Sequence, residues 1–130
     1  MNRVDLTGRL VREPELKSTM GGHSVCAFSI ACRRTYKNSQ GSYDTDFIRC
    51  VAYGHQAEYL AKYIKKGDLI GVGGAVRQYT YEGEDGQKHT GLEVVIGNGG
   101  NLEKLAAKQN GSAERDSFDE VEPLDDDIPF

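Results

Sequence analysis

The sequence lacks any apolar run long enough to cross a bilayer, and its N-terminus lacks the basic and then apolar pattern of a signal peptide. We therefore expect the chain to lie in the cytoplasm. Its 130 residues leave room for one compact domain and little more. The hydrophobic share of 38% is sufficient for a core, although apolar positions stop recurring regularly near Leu105.

The sequence also lacks the residue patterns of catalytic and metal sites. Its three histidines have no partner at a ligand spacing, and its three cysteines form no CxxC pair. We expect Cys26, Cys32 and Cys50 to be reduced and buried, because each lies in an apolar, strand-like stretch. There is no nucleophile elbow and no phosphate-binding loop of the Walker type. We therefore predict that the chain is not an enzyme and has no metal and no cofactor.

The net charge of −4 hides two parts of opposite sign. Residues 1–105 hold 14 Lys and Arg against 12 Asp and Glu, which gives +2. Residues 106–130 hold 2 Lys and Arg against 8 Asp and Glu, which gives −6. Because charge acts locally, a mildly basic body can bind nucleic acid even when an acidic end sets the overall sign.

Hydrophobic periodicity divides the body into strands and one helix. Residues 2–10 alternate, with Val4 and Leu10 on one face and polar residues on the other, which is typical of a half-buried strand. Polar segments that contain glycine, at 36–43 and 82–88, predict hairpin loops. We predict strands at residues 2–10, 23–33, 47–53, 69–81 and 90–96, the last ending between Ile96 and Leu102.

Between the third and fourth strands the period changes to that of a helix. Apolar residues recur at i, i+3, i+4 and i+7 from Ala57 to Ile64, which predicts an amphipathic helix of about three turns. We expect Lys65 and Lys66 in its last turn and Gly67 as its C-cap. Three strands, one helix and two strands is the order of the OB-fold, and glycines at 71, 73 and 74 suit a bend at a barrel corner. We predict an all-β fold with one helix, a five-stranded Greek-key barrel.

The chain changes character at about residue 105. Residues 106–130 have few large apolar side chains, so they cannot bury enough surface to offset the entropy of ordering. We predict an OB-fold domain over 1–105 and a disordered linker with an acidic tail over 106–130. A terminal ring and carboxylate beside three acids suit a hydrophobic pocket rimmed by Arg and Lys on a partner protein. The predicted partner-binding tip is Asp125, Asp126, Asp127, Ile128, Pro129 and Phe130.

Aromatic and basic residues alternate where OB-folds bind oligonucleotides, on the face of the second and third strands and the loops beside it. Tyr36 begins the first long loop, and Tyr81 precedes the second. Phe47 and Tyr53 bound the third strand and are six residues apart, so they share a strand face and could belong either to the core or to a binding surface. In OB-fold proteins of this type, bases stack on such rings and basic side chains follow the phosphates. The pattern favours single-strand binding.

These residues give the body a recognisable pattern, and it resembles the bacterial single-stranded DNA-binding protein family over about residues 1–105. The motifs occur in the family's order, which makes the match specific. The acidic run closed by Ile-Pro-Phe resembles the family's C-terminal partner motif. The matching stretches are Asn2, LTGRL at 6–10, PEL at 14–16, AFSIA at 27–31, DFIRCVAYG at 46–54, and the A, E, L, A, Y, K and G of the helical stretch at 57–67.

The resemblance implies a cytoplasmic, nucleoid-associated homotetramer that wraps single-stranded DNA with little sequence preference. It further implies that the protein protects the strand and recruits replication, recombination and repair proteins through the tail. Carried over position by position, the base-stacking rings are Tyr36, Phe47, Tyr53 and Tyr81. The candidates for phosphate contacts are Arg3, Arg9, Arg33, Arg34, Arg49, Lys66 and Arg77.

The sequence departs from the family in several places. It has no tryptophan, although the family commonly has one at the positions of Phe47, Tyr53 or Tyr81. We expect stacking to persist, because Phe and Tyr keep a π face. Ala75 stands where a basic or polar residue is frequent, and a glycine-rich run at 97–100 replaces a more strand-like segment.

Three alternatives remain open at the level of sequence. The chain could be a specialised paralogue, encoded by a phage or serving DNA uptake, instead of the general binder of the cell. It could also be a protein-interaction OB module whose barrel does not bind DNA, although the acidic tip argues against that. A nuclease is the least favoured, because no metal-binding constellation is present.

Overall fold

A computed structural model describes residues 1–108, and the predicted tail tip lies outside the described residues. The predicted boundary between body and tail at residue 105 falls near the end of the last strand and stays a prediction. The elements of the described part are β1 (Val4–Leu10), β2 (Lys17–Ser18), β3 (Ser24–Lys37), β4 (Tyr43–Tyr53), α1 (His55–Tyr63), β5 (Leu69–Glu82), β6 (Lys88–Ile96) and β7 (Asn101–Ala106).

Five of the strands close into a barrel. β3 lies between β1 and β4, β6 lies between β4 and β5, and β5 returns to β1, which closes the sheet. The β4–β6 pair is parallel, with Cys50 opposite Val94, and the other pairs are antiparallel. Five strands in this Greek-key order, with α1 between the third and the fourth, form an OB-fold, so the predicted fold class is confirmed. The short strands β2 and β7 are additions that pair with β3 and β5.

The core contains the side chains that strand alternation turns inward. On β3 these are Cys26, Phe28 and Ile30, at every second position. α1 contributes Ala57 and Leu60, which are fully buried and close one end of the core. The alternation seen in the sequence therefore places the barrel strands correctly.

The cysteines are free, as predicted, and burial differs among them. Cys26 and Cys50 are buried in the core, whereas Cys32 is partly exposed. Burial raises the pKa of Cys50 to about 12 and that of Cys32 to about 11. Both groups are therefore thiols and not thiolates at neutral pH, which makes them poor nucleophiles.

The predicted end of the helix is wrong. α1 ends at Tyr63, and Ile64 already has extended backbone angles, with its side chain 1% exposed. Lys65 and Lys66 therefore follow the helix and are not in its last turn, and Gly67 (φ 91°) lies in the turn before β5. The helix ends early because extending the backbone at Ile64 buries its side chain, and the next N–H, of Lys65, donates to the carboxylate of Asp68 at 2.9 Å.

The first loop and the end of the fifth predicted strand also differ from the prediction. The loop is shorter, covering residues 38–42, because the side-chain oxygen of Asn38 accepts the backbone N–H of Gln40 and Ser42 at 2.8 and 3.0 Å and forms a tight turn. The fifth predicted strand is confirmed over Thr90–Ile96 by β6, but it does not continue to Leu102, which lies on the separate strand β7. The glycine-rich run turns the chain at the Gly100 N–H to Gly97 carbonyl hydrogen bond, and β7 then pairs with β5.

Gly74 lies where β5 and β6 leave no room for a side chain. A Cβ built on this residue would collide with the backbone carbonyl oxygen of Val95 on β6. Glycine is therefore required here by the space between the strands, which agrees with the barrel corner that the sequence predicts at 71–74.

Asp68 joins the end of β7 to the turn that follows the helix. Its carboxylate is almost fully buried and accepts the backbone N–H of Lys65 and of Lys108, each at 2.9 Å. The ammonium group of Lys104 lies 3.3 Å away. Burial alone would raise the pKa of Asp68, but these donors favour the charged form and hold the pKa below its usual range.

We expect the free energy of unfolding to fall as acid protonates Asp68. Because the folded-state pKa lies below the ordinary value of about 3.9, this stabilisation is complete above that pH and is lost as the pH falls through the folded-state pKa. Asp68→Asn should lower the stability at neutral pH by about 1.5–3 kcal/mol and flatten its acid dependence. Denaturant titrations at neutral and acid pH measure both effects. An Asn variant with the wild-type acid dependence would contradict this role.

Candidate nucleic-acid interface

The outward side chains of β4 form the centre of the candidate interface. The core-facing residues of this strand are Ile48, Cys50 and Ala52. Alternation therefore turns Phe47, Arg49 and Tyr53 to the opposite, outer side of the barrel. Phe47 and Tyr53 share a face, as predicted, and that face is the outer one. Both rings are partly buried, and Arg49 is exposed.

The register of β5 and β6 extends this surface. Residues that oppose each other across an antiparallel pair lie on the same face of the sheet. The opposed pairs on the outer face are Arg77 with Glu93, Tyr79 with Gly91, and Tyr81 with His89. Because β6 also pairs with β4, the three strands present one continuous outer face.

A buried carboxylate lies at the centre of this face. Glu93 is 4% exposed and is contacted by two arginines. Arg49 donates from Nε to one carboxylate oxygen at 2.9 Å, and Arg77 donates from Nη2 to the other at 2.6 Å. Arg77 Nη2 also donates to the hydroxyl of Tyr53 at 3.2 Å. About half of each arginine side chain stays exposed, so the three groups present a net charge of +1 to solvent.

Hydrogen bonds from its two arginine partners keep Glu93 ionised. Burial alone would raise the pKa of Glu93, but hydrogen bonds from Arg77 and Arg49 outweigh it and hold the pKa below its usual range. The hydroxyl of Tyr53 and the carboxylate of Glu93 raise the pKa of Arg77. Glu93 and Arg77 therefore both stay charged near neutral pH.

Aromatic rings continue from the arginines to the tip of the β5–β6 hairpin. The guanidinium of Arg49 lies over the ring of Tyr79, at 4.8 Å from its centroid. The Tyr79 ring occupies space that only a glycine leaves free, since a Cβ on Gly91 would lie 2.7 Å from it. Tyr79 contacts Tyr81 at 5.8 Å between centroids, and Tyr81 stacks on His89 at 5.5 Å.

The remaining predicted stacking residue, Tyr36, lies near the end of β3. Its side chain is 62% exposed. Nearby on the same strand, Arg33 lies over the ring of Tyr43 at 4.6 Å. Arg34 donates two hydrogen bonds of 2.9 Å to Asp46, which raise the pKa of the arginine and lower that of the carboxyl. This pair is largely exposed, so its contribution to stability is small.

Five of the seven predicted phosphate contacts do not join the cluster around Glu93. Arg3 pairs with Asp5 at 3.0 Å, and Arg9 donates to the carbonyl oxygen of Gly67 at 2.9 Å. Arg9 lies on β1 and Arg3 directly precedes that strand, which is across the barrel from the β4–β6 pair. Lys66 lies in the turn after α1. The structure thus brings Arg49, Arg77 and three of the predicted rings to one face, and it leaves Tyr36, Arg33 and Arg34 near the β3–β4 hairpin.

The stacking residues predicted from the sequence leave out Tyr79, and the sequence predicts no role on the outer face for His89 and Glu93. Tyr79 is two residues from both Arg77 and Tyr81, so strand alternation alone predicts that it shares their face. No comparable signal existed for Glu93 and His89, because their positions depend on the pairing of β6 with two other strands.

Residues 1–108 contain neither a metal-binding cluster nor a membrane-spanning helix. No group of three His, Cys, Asp or Glu side chains in that part of the chain is placed to hold a metal ion. No helix in that part of the chain is long and apolar enough to span a membrane.

A comparison with known families gives a match over most of the described residues. The model of the single-strand binding protein family matches residues 1–102. These residues include β1 to β6 and therefore the whole outer face.

Comparisons with individual proteins agree with the family match. Single-stranded DNA-binding protein 3 of Listeria innocua is 44% identical over 112 residues, which cover 86% of this chain and 68% of that protein. The single-stranded DNA-binding protein of Bacillus cereus is 40% identical over 120 residues, covering 92% of this chain and 69% of the relative. Among solved structures, a Plasmodium falciparum SSB complex with single-stranded DNA superposes with a TM-score of 0.73 and 28% identity. That match covers 81% of this chain and 95% of the other.

Proposed function

The chain belongs to the single-strand binding protein family, and on this premise we propose that its barrel binds single-stranded DNA without sequence specificity. The observation that carries the proposal is the continuous outer face of β4, β6 and β5, where aromatic rings alternate with arginines. Relatives that are 44% and 40% identical to this chain are named as single-stranded DNA-binding proteins and not as enzymes.

The chemistry of the face fits an unpaired strand. Every base has a π face, so stacking on tyrosine and phenylalanine tolerates any sequence. The exposed guanidinium groups of Arg49 and Arg77 attract phosphates, which also carry no sequence information. In a duplex the base faces are covered by their neighbours and are not available to such rings. We propose stacking on Tyr36, Phe47, Tyr53 and Tyr81 and phosphate contacts from Arg3, Arg9, Arg33, Arg34, Arg49, Lys66 and Arg77.

We further propose that the acidic end of the chain recruits other proteins to the bound strand. The support is its charge of −6 over residues 106–130 and its terminal sequence of three aspartates followed by Ile128, Pro129 and Phe130. A basic-rimmed apolar pocket on a replication, recombination or repair protein is the surface that such a segment would fit. Family membership also supports a homotetramer, and light scattering of the full chain would test this oligomeric state. It supports a cytoplasmic, nucleoid-associated location as well.

The test of DNA binding is a titration of labelled oligo-dT, measured by fluorescence anisotropy at low and at physiological salt. A duplex and an RNA strand of the same length are the competitors. We expect tight binding of oligo-dT, weaker binding of the duplex, and an affinity for oligo-dT that falls as salt rises, because phosphate contacts release counterions. Equal affinity for the single strand and the duplex would overturn the proposal.

A further inference from the structure

Glu93 is an unexpected residue in a surface that faces phosphates. A carboxylate there repels the ligand, and a buried one also costs free energy of desolvation. The repulsion is not removed by protonation, since the arginine hydrogen bonds keep Glu93 ionised. Some other role must offset these two costs.

The contacts of Glu93 fix both of its arginine partners in orientation. The carboxylate accepts Nε of Arg49 on one oxygen, at 2.9 Å, and on the other it accepts Nε and Nη2 of Arg77, at 3.1 and 2.6 Å. A guanidinium has five N–H groups in a rigid plane, so bonds through the Nε edge direct the remaining donors away from the carboxylate. Each plane also lies over a ring, that of Tyr79 at 4.8 Å and that of Tyr53 at 5.9 Å.

Flexible arginines would bind phosphate less well than these. An arginine side chain carries about 2 kcal/mol of rotamer entropy, part of which is lost when it forms directed hydrogen bonds. If both side chains are already ordered in the free protein, DNA binding does not incur that loss. About half of each arginine side chain is exposed, which leaves it accessible to a phosphate.

We propose that Glu93 is a positioning residue for DNA binding, which holds the guanidinium groups of Arg49 and Arg77 in the orientation that receives phosphates between the rings of Tyr53 and Tyr79. This inference rests on the proposed function. The direction in which DNA affinity changes when Glu93 is removed distinguishes positioning from simple charge neutralisation. Charge alone predicts that removing Glu93 strengthens DNA binding, whereas positioning predicts that it weakens binding.

The test is Glu93→Gln, which keeps the shape and makes the face one unit more positive. We expect its affinity for oligo-dT to fall by about tenfold, because directed charge-assisted hydrogen bonds to both arginines are lost. The matched control is Glu82→Gln, which removes the same charge from the end of β5, where Glu82 forms no hydrogen bond or ion pair with an arginine of residues 1–108. We expect the control to bind as tightly as the wild type or slightly more tightly.

Two further variants separate positioning from a loss of structure. Glu93→Asp keeps the charge but shortens the side chain, so its affinity should also fall, and this variant serves if the Gln variant does not fold. In a chain that already carries Arg49→Gln and Arg77→Gln, adding Glu93→Gln should cause no additional loss, because the groups it positions are gone. A general structural defect would lower affinity in that background as well.

Different binding results would contradict the positioning role and the proposed function. If the wild type does not bind oligo-dT, the proposed function is wrong. If the wild type binds and Glu93→Gln binds equally well or more tightly, Glu93 only neutralises charge and the positioning role is overturned. An equal loss with and without the two arginines would overturn it too.

Discussion

Replacing Phe47 and Tyr81 together with alanine is expected to weaken oligo-dT binding by roughly 2–6 kcal/mol, taking about 1–3 kcal/mol for each base that loses its ring. Both rings point outward from adjoining parts of the same face, and Tyr81 also orders the ring of His89 by stacking on it. Anisotropy titrations with labelled oligo-dT measure the loss. The dependence of affinity on salt should stay close to that of the wild type, because rings release no counterions.

Tyr63→Ala is the matched control for the loss of an aromatic side chain. Tyr63 is 52% exposed and Tyr81 is 48% exposed, but Tyr63 lies on α1 and packs on Tyr59. We expect its removal to leave DNA affinity unchanged within about twofold. The stacking account is refuted if the Phe47 and Tyr81 double variant binds oligo-dT as tightly as Tyr63→Ala does.

Deleting the last six residues is expected to abolish the capture of partner proteins while DNA stays bound. Immobilised oligo-dT coated with the full chain or with the shortened chain provides the comparison, with a bacterial lysate as the source of partners. Phe130→Ala is the sharper variant, because it keeps all the acids and removes only the terminal ring. If the shortened chain retains the same proteins on the beads, recruitment does not depend on the tip.

The same deletion is expected to preserve DNA binding, in contrast to its effect on partner capture. We expect the three aspartates of the tip to repel phosphates and to compete weakly for the basic face, so removing them should leave the affinity for oligo-dT unchanged or slightly raised. The effect should shrink as salt rises, because screening weakens interactions between exposed charges. A large loss of affinity would mean that the tip takes part in DNA binding.

Much of the barrel could be predicted from the sequence, because apolar core residues recur at every second position along its strands. Cys26, Phe28 and Ile30 recur at every second position, and each is buried. The same rule placed Phe47 and Tyr53 on one face, although only the structure shows that this is the outer face. Alternation gives the two sides of a strand, and the packing of α1 and the barrel closure decide which side is inside.

The end of the helix could not be predicted from its period. The apolar spacing extends to Ile64, which is buried as expected, but in an extended and not a helical conformation. What ends the helix is a competition for hydrogen bonds, in which the carboxylate of Asp68 takes the N–H of Lys65. Such a competition depends on a residue outside the periodic segment.

The cluster around Glu93 could not be predicted from the sequence either. Glu93 is separated by 44 positions from Arg49 and by 16 from Arg77. Its place depends on two registers at once, the parallel one with β4 and the antiparallel one with β5. A list of basic residues identified both arginines, but the carboxylate that orients them carries the wrong charge to be found in that way.

The central claim is that the barrel binds single strands by stacking their bases, and adding an abasic strand of the same length to the oligo-dT titration tests it most directly. The abasic strand keeps the phosphates and lacks every base. We predict that it binds far more weakly than oligo-dT at the same salt, with a similar dependence of affinity on salt, because the arginine contacts remain and the stacking is gone. Equal affinity for the two strands would contradict the account, because it would leave the rings of the outer face without a role in binding.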